Sequence, residues 1–424
     1  MALKTPPNCE RSKAFYATLK SSAISLHGSE RIQLFEKLFI NQIAIACGYG
    51  RTTKVPLTQY QNKISVLKQN LRTSDIRIQK TMHNPDYVPA TNSCNATTSI
   101  CGGHVPLPTA PRPEFHPVFV RFSSKQQPPE QRKLAELFKQ KVAAKEFFYG
   151  IELTARSYGK QPSLLDYNGF DVLLPLFTSL VWLGRDYANV EDVNAIEAIS
   201  LGRLLQQHVV VLPHFTCYRA DSRRLDDFLT LNFTNVLVLR GDDVVPQQQF
   251  QHAKDMVEYI HSKRGDTISI GVGGYPEGHP ESKSMEEDMK YLKEKVDAGA
   301  DFIVTQICFT PESIISFVQK CREIGITVPI IVGVIVPDNM RILHFIMNIV
   351  KAVIPEEQLS KYKELEEDRK AFKAYAVENA VRTVQILLDS NLDVYGFQFF
   401  TMNRLKSVQQ VIQQILNMNQ TQST

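Results

Sequence analysis

Glu152, His214, the Arg240-Gly241-Asp242 run and the Tyr275-Pro276-Glu277-Gly278-His279 run each stand at the end of a short apolar segment in this 424-residue chain. Another such segment carries Gln306, and the last one leads to Thr401, Asn403 and Arg404. Carboxylates, histidines, an arginine and an amide gathered on one rim would transfer protons and hold an anion. Each residue also has a plainer use when taken singly: Glu152 as a salt-bridged strand end, Gln306 as an amide satisfying a backbone group. His214 and Cys217 supply two metal ligands, too few for a site, so no metal is expected.

The elements that would carry these residues form a repeat. Apolar or β-rich runs fall at 147–153, 177–183, 209–212, 236–239, 267–272, 302–309, 330–336 and 397–402. Several are almost continuously apolar, as strands buried on both faces should be. Helical segments lie between them. Leu134, Leu137, Phe138 and Val142 stripe a helix over 130–144. Pro246 opens another, with Phe250, Ala253, Val257 and Ile260 inward, and Ser284 with Glu287 reads as a capping box. Thr310-Pro311 starts a helix that Gly325 ends, and Asp338 and Asn403 are positioned to cap the two that follow their strands. The segment 163–174 is the weakest helix, since it contains Gly169. Eight βα units in about 275 residues predict an α/β TIM barrel. A doubly wound sheet would bring a GxGxxG turn, and Gly271-Val272-Gly273-Gly274-Tyr275-Pro276 puts proline where the third glycine belongs. A Schiff-base aldolase would need a lysine at a strand end, and none of the eight runs has one.

Composition narrows the class further. The chain is 43% hydrophobic and 22% charged, ordinary for a globular protein, and no stretch reads as a membrane span. Residues 1–113 hold 14 Lys or Arg against 5 Asp or Glu, which leaves the remainder acidic although the whole chain is +4. A basic, largely irregular N-terminal extension over 1–130, with a short helix near 32–45 and a linker at 91–113, therefore precedes a barrel domain over 131–424. An acidic body argues against nucleic-acid binding. Seven scattered cysteines without a CxxC point to a reducing compartment. The basic start matches a mitochondrial transit peptide in composition, but Glu10 and the lack of an Arg-rich amphipathic run favour a cytoplasmic protein. No oligomeric state follows from the sequence, and a homo-oligomer stays open.

Six motifs together resemble the methylenetetrahydrofolate reductases: His214-Phe215-Thr216-Cys217, Leu239-Arg240-Gly241-Asp242, Tyr275-Pro276-Glu277-Gly278-His279-Pro280-Glu281, Lys295-Val296-Asp297-Ala298-Gly299-Ala300, Thr305-Gln306 and Phe400-Thr401-Met402-Asn403-Arg404. They occur in that family's order across roughly 145–417. The resemblance implies a TIM barrel that binds FAD at its strand ends. It also implies NADH or NADPH as reductant and 5,10-methylenetetrahydrofolate as the folate substrate, reduced to 5-methyltetrahydrofolate. By position Glu152 matches the family's general acid, whose pKa should be raised. Asp242 matches the acid beside flavin and folate. Trp182, Gly184, His214, Arg240, Gly241 and Asp242 match cofactor positions, as do Tyr275, His279, Ser282, Asp288 and Lys295. Gln306 and Arg404, with Asp242, match folate-facing positions.

Four departures accompany the match. Leu153-Thr154-Ala155-Arg156 stand where the family has Phe-Phe-Pro-Pro, which puts a charge close to the acid. Val181 replaces a cofactor-facing threonine, Glu294 replaces an arginine beside Lys295, and Ile342 replaces a folate-facing glutamine. These changes motivate an alternative, a non-catalytic relative that binds flavin or folate as a regulatory subunit. The sequence also stops soon after the last barrel helix, so the S-adenosylmethionine-binding domain of many eukaryotic members is expected to be absent.

Overall fold

A computed structural model describes residues 116–122, 130–157, 163–242 and 245–422, all within the compact unit Thr98–Thr424. The helix expected near 32–45 and the linker at 91–113 lie outside the described residues.

In chain order the strands are β1 (His116–Arg121), β2 (Phe148–Leu153), β3 (Arg156–Ser157), β4 (Ser163–Asp166), β5 (Phe177–Leu180) and β6 (Val210–Thr216). They continue as β7 (Asn235–Leu239), β8 (Ser269–Gly274), β9 (Phe302–Thr305), β10 (Ile330–Ile335) and β11 (Gly396–Phe400). Strands β2 and β5–β11 close into an eight-stranded barrel in the order β10-β11-β2-β5-β6-β7-β8-β9, every pair parallel. These are the eight expected strands. β6 runs on through Pro213, which lacks an N–H, and so carries His214 and Thr216 inside the ladder rather than after it.

Two cores divide the apolar residues. Outward-facing side chains such as Tyr149, Ile151 and Val211 pack against the surrounding helices. Inward-facing side chains form a separate cluster around Phe148, Phe177, Leu212, Leu237 and Phe302. The helix Leu134–Ala143 closes the bottom of this inner cluster. Its Phe138 ring lies 5.2, 5.3 and 5.0 Å from those of Phe148, Phe177 and Phe302. Two of its first-turn N–H groups, which no helix can satisfy internally, are taken up by the barrel: Leu134 donates to Asn235 Oδ1 at 2.7 Å and Ala135 to Ser269 Oγ at 3.2 Å. Glycines make room for this aromatic floor. A Cβ on Gly150, Gly271 or Gly396 would overlap the ring of Phe177, Phe302 or Phe148 respectively.

Several local expectations are corrected. Segment 163–174 is not an α-helix but strand β4 followed by a 3-10 turn, Tyr167–Phe170. β4 pairs with β1, and Gln409 Nε2 donates to Asp166 O at 2.8 Å, so the segment lies against the last helix, Leu405–Gln422. β1 falls inside the region read as irregular extension and joins a three-stranded sheet with β3 and β4. The helix after β7 starts at Ala253 rather than at Pro246, because Asp255 accepts from the N–H groups of Gln251 and His252 and fixes the first turn there. Ser284 caps Met285–Asp297 as expected, but Glu287 bonds the Lys283 N–H rather than closing a box. Asn339, not Asp338, caps Met340–Ile349, and Asn403 caps nothing because its amide is engaged across the barrel mouth.

Candidate functional site

The aromatic floor leaves the upper part of the barrel to polar side chains. Along β2 the inward positions are Phe148, Gly150 and Glu152. Glu152 stands level with Phe400 on β11 and Ser179 on β5. Its carboxyl has no hydrogen bond or ion pair among the described residues. Burial alone pushes its pKa up to about 8, so the acid form persists at neutral pH. Its backbone is fixed by contrast. Thr401 Oγ1 donates to Glu152 O at 2.6 Å, and Asn403 bonds Thr154 two residues on.

Two strands on, β6 presents His214, only 4% exposed, with Nε2 lacking a partner. Burial pushes its pKa down to about 3, so the imidazole is neutral. Thr216 Oγ1 on the same strand is also buried and unpartnered. Two glycines approach it. A Cβ on Gly184 would come within 3.1 Å of Thr216 Oγ1, and one on Gly241 within 3.3 Å of Thr216 Cβ. Gly241 has φ +83, a conformation other residues rarely adopt.

Polar groups from the ends of β7 and β8 and from helix Met285–Asp297 form one connected cluster. Arg240 pairs with Glu281. Burial raises the Tyr275 phenol to about 12, and the charges of Asp242 and Asp288 add to it. The Tyr275 ring meets His279 edge-on at 4.6 Å. His279 Nδ1 accepts from the Glu281 N–H at 3.1 Å, which leaves Nε2 to carry the proton of the neutral ring. Asp288 accepts from the His279 N–H at 3.3 Å and from Ser282 Oγ at 3.2 Å. Lys295 Nζ donates to Gly273 O at 2.6 Å, and burial lowers its pKa to about 8 against the opposing pull of Asp288. Glu281 is a member that the residue-by-residue reading left unassigned, although the Tyr275–Glu281 motif contained it.

Gln306 and Arg404 stand apart from this cluster. Gln306 Oε1 accepts from the Ile307 N–H at 2.9 Å, leaving its amide nitrogen without a protein partner among the described residues. Arg404 lies 4.0 Å from Asp338, which is itself held by Lys373 and Ser407. Between them an apolar patch of Ile307, Ile335, Ile342 and Ile346 borders the mouth. Ile342 is thus accommodated by apolar neighbours.

Trp182 does not join the site. It packs outward against Phe215 at 4.7 Å and Tyr187 at 5.4 Å, with the Arg224 guanidinium 5.6 Å from its ring. Arg156 leaves the acid as well. It is 5% exposed and pairs with Asp186 at 2.8 Å and Glu197 at 3.0 Å. Glu294 turns toward Lys254, 3.6 Å away. Val181 continues the β5 ladder by donating to Leu153 O at 3.0 Å, which puts an apolar side chain in line with Ser179. Among the described residues no group of three metal-ligating side chains occurs, and no helix is long and apolar enough to cross a membrane.

The family model for methylenetetrahydrofolate reductase matches residues 137–416. Among curated relatives, a probable methylenetetrahydrofolate reductase (NADPH) of Caenorhabditis elegans is 33% identical over 57% of this chain and 37% of its own length. A probable methylenetetrahydrofolate reductase (NADH) of Oryza sativa subsp. japonica is 31% identical over 56% and 44%. A 5,10-methylenetetrahydrofolate reductase of Pectobacterium carotovorum subsp. carotovorum is 32% identical over 45% and 65%. The chain spans about two-fifths of the length of the first two.

Proposed function

The chain belongs to the methylenetetrahydrofolate reductase family, and we propose that it reduces 5,10-methylenetetrahydrofolate to 5-methyltetrahydrofolate with NADH or NADPH, through bound FAD. The observation that carries the proposal is Glu152, a carboxyl with no partner at a poorly solvated barrel mouth, its pKa raised to about 8.

The residues present fit a flavin dinucleotide. His214 Nε2 and Thr216 Oγ1 are buried and unsatisfied, and a ligand with donors and acceptors would complete them. Gly184 and Gly241 keep the approach to Thr216 open. Arg240 and Lys295 supply cationic groups for a diphosphate, with Tyr275, His279, Ser282 and Asp288 around them. Bound FAD would supply two-electron transfer between nicotinamide and folate.

The protein's own work is proton placement and charge. Glu152 in its acid form donates a proton to a folate ring nitrogen, which opens the five-membered ring to a cationic iminium. Asp242 stabilises that cation electrostatically. Gln306 donates an amide N–H to the folate, and Arg404 faces its glutamate carboxylate. Arg156 and Ile342, which motivated the non-catalytic alternative, have partners of their own, which supports the catalytic reading.

The test is a flavin titration of the purified chain, followed by anaerobic addition of NADH or NADPH. The proposal expects a bound yellow chromophore that bleaches with one nucleotide or both. A protein that binds no added FAD would overturn it.

A further inference from the structure

Two inward-facing polar side chains beside Glu152 have no use in the account above. Gln398, on β11, is fully buried, and neither its Oε1 nor its Nε2 has a partner. Ser179, on β5, is fully buried, and its Oγ has none. Leaving such groups buried and unpaired is costly, so each needs a partner in the working protein.

The sheet register places both next to the acid. Ser179 is directly opposite Glu152 on one side of β2. On the other side Phe400 is opposite Glu152, and Gln398 lies one inward step below, level with Gly150. A diagonal neighbour of this kind is within reach of long side chains. The positions flanking Gln398 are Gly150 and Gly333. The space beside Gly150 is taken by the Phe177 ring, and that beside Gly333 by the Thr305 carbonyl oxygen and the Phe400 ring. Gln398 makes no hydrogen bond to that carbonyl, and Glu152 and Ser179 are the polar side chains that the register brings next to it.

We infer that Gln398, assisted by Ser179, is a positioning residue that seats Glu152: its amide oxygen accepts the hydrogen bond of the carboxylic acid through one enclosed water. The inference rests on the reading of Glu152 as a general acid. An amide suits the task because it does not titrate, so the seat holds across the working pH range. The strands flanking β2 face Glu152 with Ser179, Phe400 and Gln398, none of which titrates below pH 10. His214 on β6 stays neutral, and the charges of Asp242, Tyr275, His279 and Lys295 make no contribution to the Glu152 shift, whose cause is burial alone.

Gln398→Met keeps the side-chain length and removes the acceptor. Infrared difference titration of the full chain without cofactor follows the protonated carboxyl band that Glu152→Gln abolishes. In Gln398→Met the band should move to the frequency of a free acid. Its titration midpoint should fall by about one pH unit, the worth of one neutral hydrogen bond. Ser179→Ala should shift it in the same direction by less. With FAD added, Gln398→Met should slow 5,10-methylenetetrahydrofolate reduction roughly tenfold, as that same hydrogen bond predicts, and leave reduction by NAD(P)H at the wild-type rate. An unchanged band and midpoint in both variants, or a raised midpoint, overturns the inference. Retention of folate reduction by Glu152→Gln would instead overturn the acid reading, and leaves the infrared result as an independent test of the hydrogen bond.

Discussion

Asn403 and Thr154, 249 residues apart, are joined by three hydrogen bonds: the Thr154 N–H donates to Asn403 Oδ1 at 3.0 Å, and Asn403 Nδ2 donates to Thr154 O at 3.0 Å and Oγ1 at 3.2 Å. The same nitrogen also reaches Arg156 O at 3.3 Å. This staple ties the chain just after Glu152 to the turn just before Arg404. Asn403 has φ +61, a conformation asparagine tolerates better than most residues. Asn403→Ala should lower stability by about 2–4 kcal/mol, from lost buried hydrogen bonds and backbone strain together. Urea unfolding checks the magnitude. The variant should also lower folate turnover at temperatures where it stays folded, because the chain just after Glu152 then loses its tie to the last strand's turn.

Glu152 carries a pH signature of its own. Its folded pKa, about 8, lies above the ordinary carboxyl value of 4.5. Between those values the folded state holds a proton that the unfolded state has released. Stability therefore falls as pH rises through that window, by up to about 1.4 kcal/mol per unit, and levels off above pH 8. Glu152→Gln should remove this slope and be the more stable protein at pH 8. Denaturant midpoints of both proteins from pH 5 to 9 test the sign.

The aromatic floor predicts a coupled pair. Gly150→Ala would push a methyl group into the Phe177 ring, at a cost of about 1–3 kcal/mol. Phe177→Leu alone should also destabilise, by opening a cavity. Together they should cost less than the sum of the two, since the smaller side chain relieves the clash. Thermal melts of the three variants measure that coupling.

Arg156 is predicted to matter for stability and not for the acid. Its guanidinium is neutralised by Asp186 and Glu197 and lies 5.2 Å from the centre of the Tyr187 ring. Arg156→Met should cost about 1–3 kcal/mol, because both carboxylates remain partly solvated. It should leave the pH dependence of folate reduction unmoved. A shifted alkaline limb would mean that the charge reaches Glu152 after all.

The eight barrel strands were legible because burial on both faces writes them as apolar runs, and Leu134, Leu137 and Phe138 were legible as one helix face. What that face meets was not. Periodicity marks a buried stripe without naming its partner, and here the partner is the inside of the barrel. The pairing of Gly150 with Phe177 was hidden for the same reason, since it depends on how two separate strands align. Asn403 resembled a helix cap because the residues it binds lie at the other end of the barrel sequence. Trp182 matches a cofactor position of the family by resemblance, and a resemblance does not carry the direction in which a side chain points. The inward phase of Phe177 and Ser179 sends Trp182 outward. Segment 163–174 failed as a helix because its apolar residues serve β1 and the last helix, contacts that no local pattern records.

Rapid mixing of the prereduced, FAD-loaded protein with 5,10-methylenetetrahydrofolate under anaerobic conditions tests the central proposal most directly. The account predicts that the yellow absorbance returns as 5-methyltetrahydrofolate appears, and that Glu152→Gln, reduced equally well by the nicotinamide, stays bleached. A wild-type protein that remains bleached with folate present, or a Glu152→Gln protein that recovers its colour at the wild-type rate, would contradict it.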